Sequence, residues 1–200
     1  MSSPSRRLDS VCVYCGSSNA AQPQFLAAAA QLGAIIAGEG LRLVYGGGGV
    51  GLMGATALAA HEAGGRVLGV IPAFLTSHER PLGMVETIVV QSMHERKMMM
   101  FEEADAFAIL PGGIGTLEEV IELLSWRRLS LHAKPIVFYN PDNFWGSLYD
   151  LFQQFIDERL IPPEFSECWA SVDNVADLLP AIRNMPSLAF MQPPGVEHLT

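Results

Sequence analysis

One stretch limits the folds open to this chain more than any other. Asp105-Ala106-Phe107-Ala108-Ile109-Leu110 is a short apolar run of strand length that stops at Pro111. Gly112-Gly113-Ile114-Gly115 follows, and beyond Thr116 the residues Leu117, Val120, Ile121, Leu123 and Leu124 recur at helical spacing. The stretch predicts a buried strand, a Gly-rich turn and a helix starting near Thr116. Glycines leave backbone N–H groups uncovered, and a helix N-terminus carries partial positive charge. Such a turn is an anion site, most often for phosphate. Thr116 can cap the helix and donate its hydroxyl. Glu118 and Glu119 fall in the first helical turn beside that site. An anion cradle needs no acid next to it, so one carboxylate is a candidate for chemistry. The alternative, that both only complement the helix dipole, stays open.

The strand–turn–helix unit recurs along the chain. Strands are expected at residues 10–14, 41–45, 66–71, 86–90, 105–110, 135–139 and 169–172. Helices are expected at 23–37, from the glycine run to 63, at 93–104, from the second turn to 129, at 144–158 and at 175–183. Residues 73–85 read as a connection holding His78, Glu79 and Arg80. This alternation predicts the α/β class: a doubly wound, Rossmann-like parallel sheet with helices on both faces. Residues 9–185 are expected to form a single nucleotide-binding catalytic domain, with loose tails at 1–8 and 186–200. Ligands on such sheets bind beyond the C-terminal strand ends. Three small-residue turns fall at that edge, at 16–19, 46–54 and 112–116.

Half of the residues are hydrophobic and 16% are charged, a globular balance. The formal net charge of −9 argues against DNA or RNA as a partner. Lys97 and Lys134 are the only lysines, so an anionic ligand must be held mainly by backbone amides and arginines. Three cysteines do not make a disulfide framework. Cys12 of the Cys12/Cys15 pair lies in an apolar strand run, a poor setting for a redox or metal pair. The uncharged segments 11–38 and 43–60 are broken by polar residues and by the glycine run, so neither suits a membrane-spanning helix. No signal-peptide core follows Arg6 and Arg7. A cytoplasmic protein without a membrane partner is expected.

Gly49-Val50-Gly51-Leu52-Met53-Gly54 matches G-x-G-x-x-G, a weak dinucleotide signal on its own. It follows the second strand rather than the first, and the next strand ends Val70-Ile71-Pro72 without the acid that would bind a ribose hydroxyl. Two Gly-rich turns at one sheet edge suit one compact phosphorylated ligand better than NAD. Glycines serving only close helix–strand packing is the competing reading. Arg96 and Lys97 are adjacent on a helix otherwise followed by Met98, Met99, Met100 and Phe101. With positive charge scarce, they are candidate ligands for an anion. His94 and Glu95 do not complete H-E-x-x-H, because Met98 stands at the fifth position. No metal and no cofactor is expected. Ser17 and Ser18 lack a G-x-S-x-G elbow.

Pro111-Gly112-Gly113-Ile114-Gly115-Thr116-Leu117-Glu118-Glu119 resembles the PGGxGTxxE signature of the LOG (Lonely Guy) proteins, the cytokinin riboside 5′-monophosphate phosphoribohydrolases. The likeness continues in Gly46-Gly47-Gly48, Gly51-Leu52-Met53-Gly54, Met93-His94-Glu95-Arg96-Lys97 and Cys15-Gly16-Ser17-Ser18. The resemblance implies hydrolysis of the N-glycosidic bond of an adenosine 5′-monophosphate or its N6-modified form, giving the free base and ribose 5-phosphate. An AMP nucleosidase without a cytokinin role and a non-catalytic nucleotide-binding protein are the alternatives. Carried over by position, Glu119 and Arg96 are implied as the catalytic pair. Glu79, Lys97, Gly112, Gly113, Ile114, Gly115, Thr116, Leu117, Glu118 and Ser125 are implied as substrate contacts. Ser17, Gly47, Gly48, Gly51 and Met53 belong to loops on the phosphate and sugar side. Relatives commonly have Thr where Ser125 stands and Tyr where Ile114 stands. A pyridoxal phosphate decarboxylase, a label some relatives carry, would need a Schiff-base lysine from Lys97 or Lys134. The family also implies a homodimer, in keeping with apolar and aromatic groups on more than one face of the helix at 114–129, Trp126 among them.

Overall fold

The computed structural model describes residues 7–186. The expected tails at 1–8 and 186–200 lie mostly outside the described residues. Seven strands alternate with helices: β1 (Ser10–Tyr14), β2 (Arg42–Tyr45), β3 (Arg66–Pro72), β4 (Glu86–Val90), β5 (Ala106–Ile109), β6 (Ile136–Tyr139) and β7 (Ala170–Val172). The helices are α1 (Pro23–Gly38), α2 (Gly51–Glu62), α3 (Thr76–Glu79), α4 (Met93–Glu102), α5 (Ile114–Arg128), α6 (Gly146–Asp157) and α7 (Leu178–Asn184). The sheet order is β4-β3-β2-β1-β5-β6-β7, and each pairing is parallel. Parallel neighbours need crossovers, and the alternation in the sequence supplies them.

Buried residues of α1, α2 and α7 pack on one face of the sheet with Val11, Val13, Leu43 and Tyr45. Those of α4, α5 and α6 pack on the other with Cys12, Tyr14, Val44 and Phe107. Adjacent β1 residues thus feed opposite cores, which is why the central strands read as continuous apolar runs. The chain winds outward from β1 to β4, then returns to lay β5 against the other side of β1. The winding direction reverses between β1 and β5, which opens a crevice at their C-terminal ends.

Three boundaries differ from the sequence expectation. Helix α5 starts at Ile114, and its cap is Gly113 with no side-chain hydrogen bond, so Thr116 lies inside the first turn and caps nothing. Helix α6 starts at Gly146, because Asp142 and Asn143 both adopt left-handed φ and Asn140 Oδ1 accepts from the Trp145 amide. The connection after β3 is structured, with a 3-10 turn at Ala73–Leu75 running into α3. Among the described residues, no helix is long and apolar enough to cross a membrane.

Candidate active site

A cavity of about 300 Å³ opens at the β1/β5 switch point. The turn after β1 meets the turn after β5 there: the Gly16 amide donates to the Pro111 carbonyl at 3.1 Å. The first-turn amides of α5, at Ile114, Gly115 and Thr116, have no intrahelical acceptor and no side-chain cap. Gly113, Ile114, Gly115 and Thr116 line the cavity. They form an open donor set at the positive end of a helix. Gly112 stands just behind: a Cβ there would lie 2.2 Å from Thr116 Oγ1, so its bareness gives the threonine room.

The glycine run behaves differently. The Gly51 amide donates to Asn19 Oδ1 at 3.0 Å, and the Leu52 amide donates to the Gly16 carbonyl at 3.0 Å. Two donors at the α2 N-terminus are therefore consumed within the protein. Gly51 has φ +59, and a Cβ there would lie 2.5 Å from the Ser17 backbone. Gly46 and Met53 line the cavity, whereas Gly47, Gly48 and Gly51 do not. For much of this run, close packing explains the glycines better than phosphate contact.

Glu119 follows Gly115 by one helical turn, so its side chain falls below the open amides on the same face of α5. It is 8% exposed and lines the cavity. Arg96, 6% exposed, faces it from α4. The start of α4 is fixed by Ser92 Oγ accepting from the Glu95 amide and by Glu95 Oε2 accepting from the Gln91 amide, close to a capping box. Arg96 Nη2 donates to the Gly46 carbonyl at 3.1 Å, and Nη1 lies 3.8 Å from Glu119 Oε1. Burial lifts the Glu119 carboxyl from its ordinary 4.5 to about 7; Arg96 and Lys97 pull it down, and Glu118 and Glu79 push it up. At 3.8 Å the ion pair is too long to offset desolvation. A carboxyl poised there can exchange its proton at neutral pH.

Glu79 reaches the cavity from α3. Its Oε2 is buried without a partner, and burial raises its carboxyl. Ser17 also lines the cavity. Other expected contacts are not on its wall. Lys97 is held by Glu118 at 2.5 Å and by Glu122 at 3.0 Å, Leu117 is half-buried, and Ser125 is exposed. Ile114 sits at the mouth, 83% exposed. Tyr14, Cys15, Gly46 and Met100 line the cavity without having been singled out as contacts. Met100 had a signal, being one turn beyond Arg96 on the same face of α4. Cys12, Cys15 and Cys168 are free and buried, and burial pushes each thiol well up, which makes them poor nucleophiles. Among the described residues, no cluster of three metal-ligating side chains occurs.

The sequence model of a family described as "Possible lysine decarboxylase" matches residues 53–182. The chain is 41% identical over 86% of its length, and over 80% of the relative, to cytokinin riboside 5′-monophosphate phosphoribohydrolase LOG7 of Arabidopsis thaliana. It is 42% identical over 84% of its length, and over 74% of the relative, to the probable cytokinin riboside 5′-monophosphate phosphoribohydrolase LOG4 of Oryza sativa subsp. japonica. A molybdenum cofactor binding protein from Rippkaea orientalis superposes with a TM-score of 0.67 at 27% identity, covering 90% of this chain and 98% of that one. The molybdenum cofactor carrier protein of Chlamydomonas reinhardtii superposes at 0.68 with 22% identity and the same coverage, a likeness of fold alone. The open helix terminus, the buried Arg96–Glu119 pair and the similarity along most of the chain agree: the chain belongs to the LOG family.

Proposed function

We propose that this chain hydrolyses the N-glycosidic bond of an adenosine 5′-monophosphate, bare or N6-modified, releasing the base and ribose 5-phosphate. One observation carries the reading: buried Glu119 stands one helical turn beneath the open amides of α5, in the same cavity. A phosphate on the amides of Ile114, Gly115 and Thr116 leaves the ribose inside the cavity that Glu119 lines. The Thr116 hydroxyl is at hand as a further donor.

Breaking the glycosidic bond develops positive charge on the ribose. The Glu119 carboxylate stabilises that charge and takes one proton of the attacking water; the departing base carries the bonding electron pair and gains a proton to leave neutral, and Glu119 releases the water's proton to solvent. Arg96 lowers the proton affinity that burial raises and so favours the anionic form of Glu119. The phosphate contact is distant from the bond broken, so its binding energy serves to fix C1′ against the carboxylate. Lysine chemistry does not fit: Lys97 is bound by two glutamates, and Lys134 donates to the Phe101 carbonyl and caps its ring at 3.9 Å. Neither lines the cavity, so neither lysine stands ready for a Schiff base.

The working unit in this reading is a homodimer that covers the outer face of α5. A reducing setting such as the cytoplasm suits the free thiols. The test is a panel of AMP, N6-isopentenyl AMP and adenosine, with bases and ribose 5-phosphate separated by chromatography. Both monophosphates should be cleaved far faster than adenosine. Equal rates on adenosine and AMP, or no cleavage of either, would overturn the assignment, and the relative rates of the two monophosphates give the base preference.

A further inference from the structure

The glycines that follow β2 do not share one environment. A Cβ at Gly47 would press on the Val70 backbone and on Ile71, and one at Gly49 would lie 2.2 Å from the Arg80 carbonyl oxygen. At Gly46 the nearest atoms are the ends of side chains: Arg96 Nη2 at 2.0 Å, Met53 Sδ at 3.0 Å and Arg96 Cζ at 3.1 Å. The same Nη2 donates to the Gly46 carbonyl in a buried bond. The other contacts of the guanidinium are weaker. Nη1 lies 3.9 Å from Met93 Sδ and 3.8 Å from Glu119 Oε1, and Nε is buried without a partner.

We propose that Gly46 is a positioning residue: its carbonyl and its missing side chain together hold the Arg96 guanidinium beside Glu119. The proposal rests on the reading of Glu119 as the reacting carboxylate. A methyl group at position 46 would occupy the space of Nη2, and a flexible arginine yields where a backbone would not. Arg96 is the nearer cation facing Glu119. Lys97 on the same helix is spent on Glu118 and Glu122. Glu79 on α3 and Glu118 on α5 repel it, and Cys12 and Tyr14 on β1 and Cys15 just beyond it offer uncharged groups. With the guanidinium displaced, only Lys97 still opposes burial and like charge, and Glu119 holds its proton to higher pH.

The experiment compares wild type, Gly46→Ala, Arg96→Gln and the double variant. The Glu119 carboxyl is titrated by 13C NMR on glutamate-labelled protein, with Glu119→Gln to assign the signal. In parallel, the pH dependence of kcat/KM is measured on AMP. Each single variant should move the titration up by about one pH unit or more, and the double variant should move it no further. The acid limb of kcat/KM should shift with it, and kcat near neutrality should fall more than KM rises. A Gly46→Ala protein that titrates like wild type overturns the proposal. So does a shift that adds in full to that of Arg96→Gln, because Gly46 would then act without Arg96. The titration needs no turnover, so a failed hydrolase assignment is read separately. Should Gly46→Ala alone not fold, the double variant must fold, since the clashing guanidinium is gone; failure of both gives Gly46 a backbone role and ends the proposal.

Discussion

At the scale of single residues, Glu119 carries a conflict. Burial favours its neutral form, while the proposed chemistry needs the anion. Glu119→Gln removes the charge and keeps the shape, so kcat for the monophosphate should fall by about 10²–10³ with KM little changed. In the wild type, kcat/KM should rise as pH climbs through about 7, where the carboxyl loses its proton. Stability should run the other way. The native state holds this proton more tightly than the unfolded chain, whose value is near 4.5. The contribution of the group is complete below that value and is lost as pH rises through about 7. Glu119→Gln never ionises, so thermal melts should show it more stable than wild type at pH 8, by on the order of 3 kcal/mol, and nearly equal at pH 4. Glu118→Gln is the control: Glu118 is largely exposed and tied to Lys97, and its loss should cost much less activity.

At the scale of elements, the site depends on helices held at fixed distances from the sheet. The α1–α2 pair shows how little slack there is. A Cβ at Gly33 would lie 2.1 Å from the Thr56 carbonyl oxygen and 3.1 Å from the Ala60 amide nitrogen. Both neighbours are helix backbone, so no rotamer change relieves the clash. Gly33→Ala should push α1 off α2 and destabilise the fold by about 1–3 kcal/mol, despite the better helix propensity of alanine. A lowered midpoint in urea unfolding would show it. A midpoint at or above the wild-type value would mean that the two helices can part without cost.

For the whole molecule, the prediction concerns the face of α5 turned from the sheet. Ile114, Ile121 and Leu129 recur along it at helical spacing, with Leu131 beyond, and all are exposed. Val120, Leu123 and Leu124 already fill the opposite face. Isolated exposed apolar residues are ordinary, but a stripe on one helix beside a cavity mouth is where the proposed homodimer would bury apolar surface. Light scattering at micromolar concentration should give a dimer, and Ile121→Asp should shift it to monomer. A wild-type monomer would contradict the assembly, and a dimer untouched by Ile121→Asp would put the interface elsewhere.

Sequence alone determined the architecture, because periodicity and glycine punctuation are local signals. The strands around Phe107 and Val44, the turn at Gly112 and Gly113 and the acid at Glu119 were legible from neighbours within a few residues. What tertiary structure decided was the meaning of those pieces. The glycine run from Gly46 to Gly54 looked like a second phosphate cradle until Asn19 and Gly16, far away in the chain, took the Gly51 and Leu52 amides. Thr116 looked like a cap until the helix was seen to begin at Ile114. Lys97 and Arg96 looked alike, yet one is neutralised by Glu118 and Glu122 while the other is buried against Gly46 and Glu119. Desolvation and charge pairing depend on which distant segments meet, and a linear pattern does not encode that. The proton affinity of Glu119 is therefore a property of the fold, whereas its place in the chain is a property of the sequence.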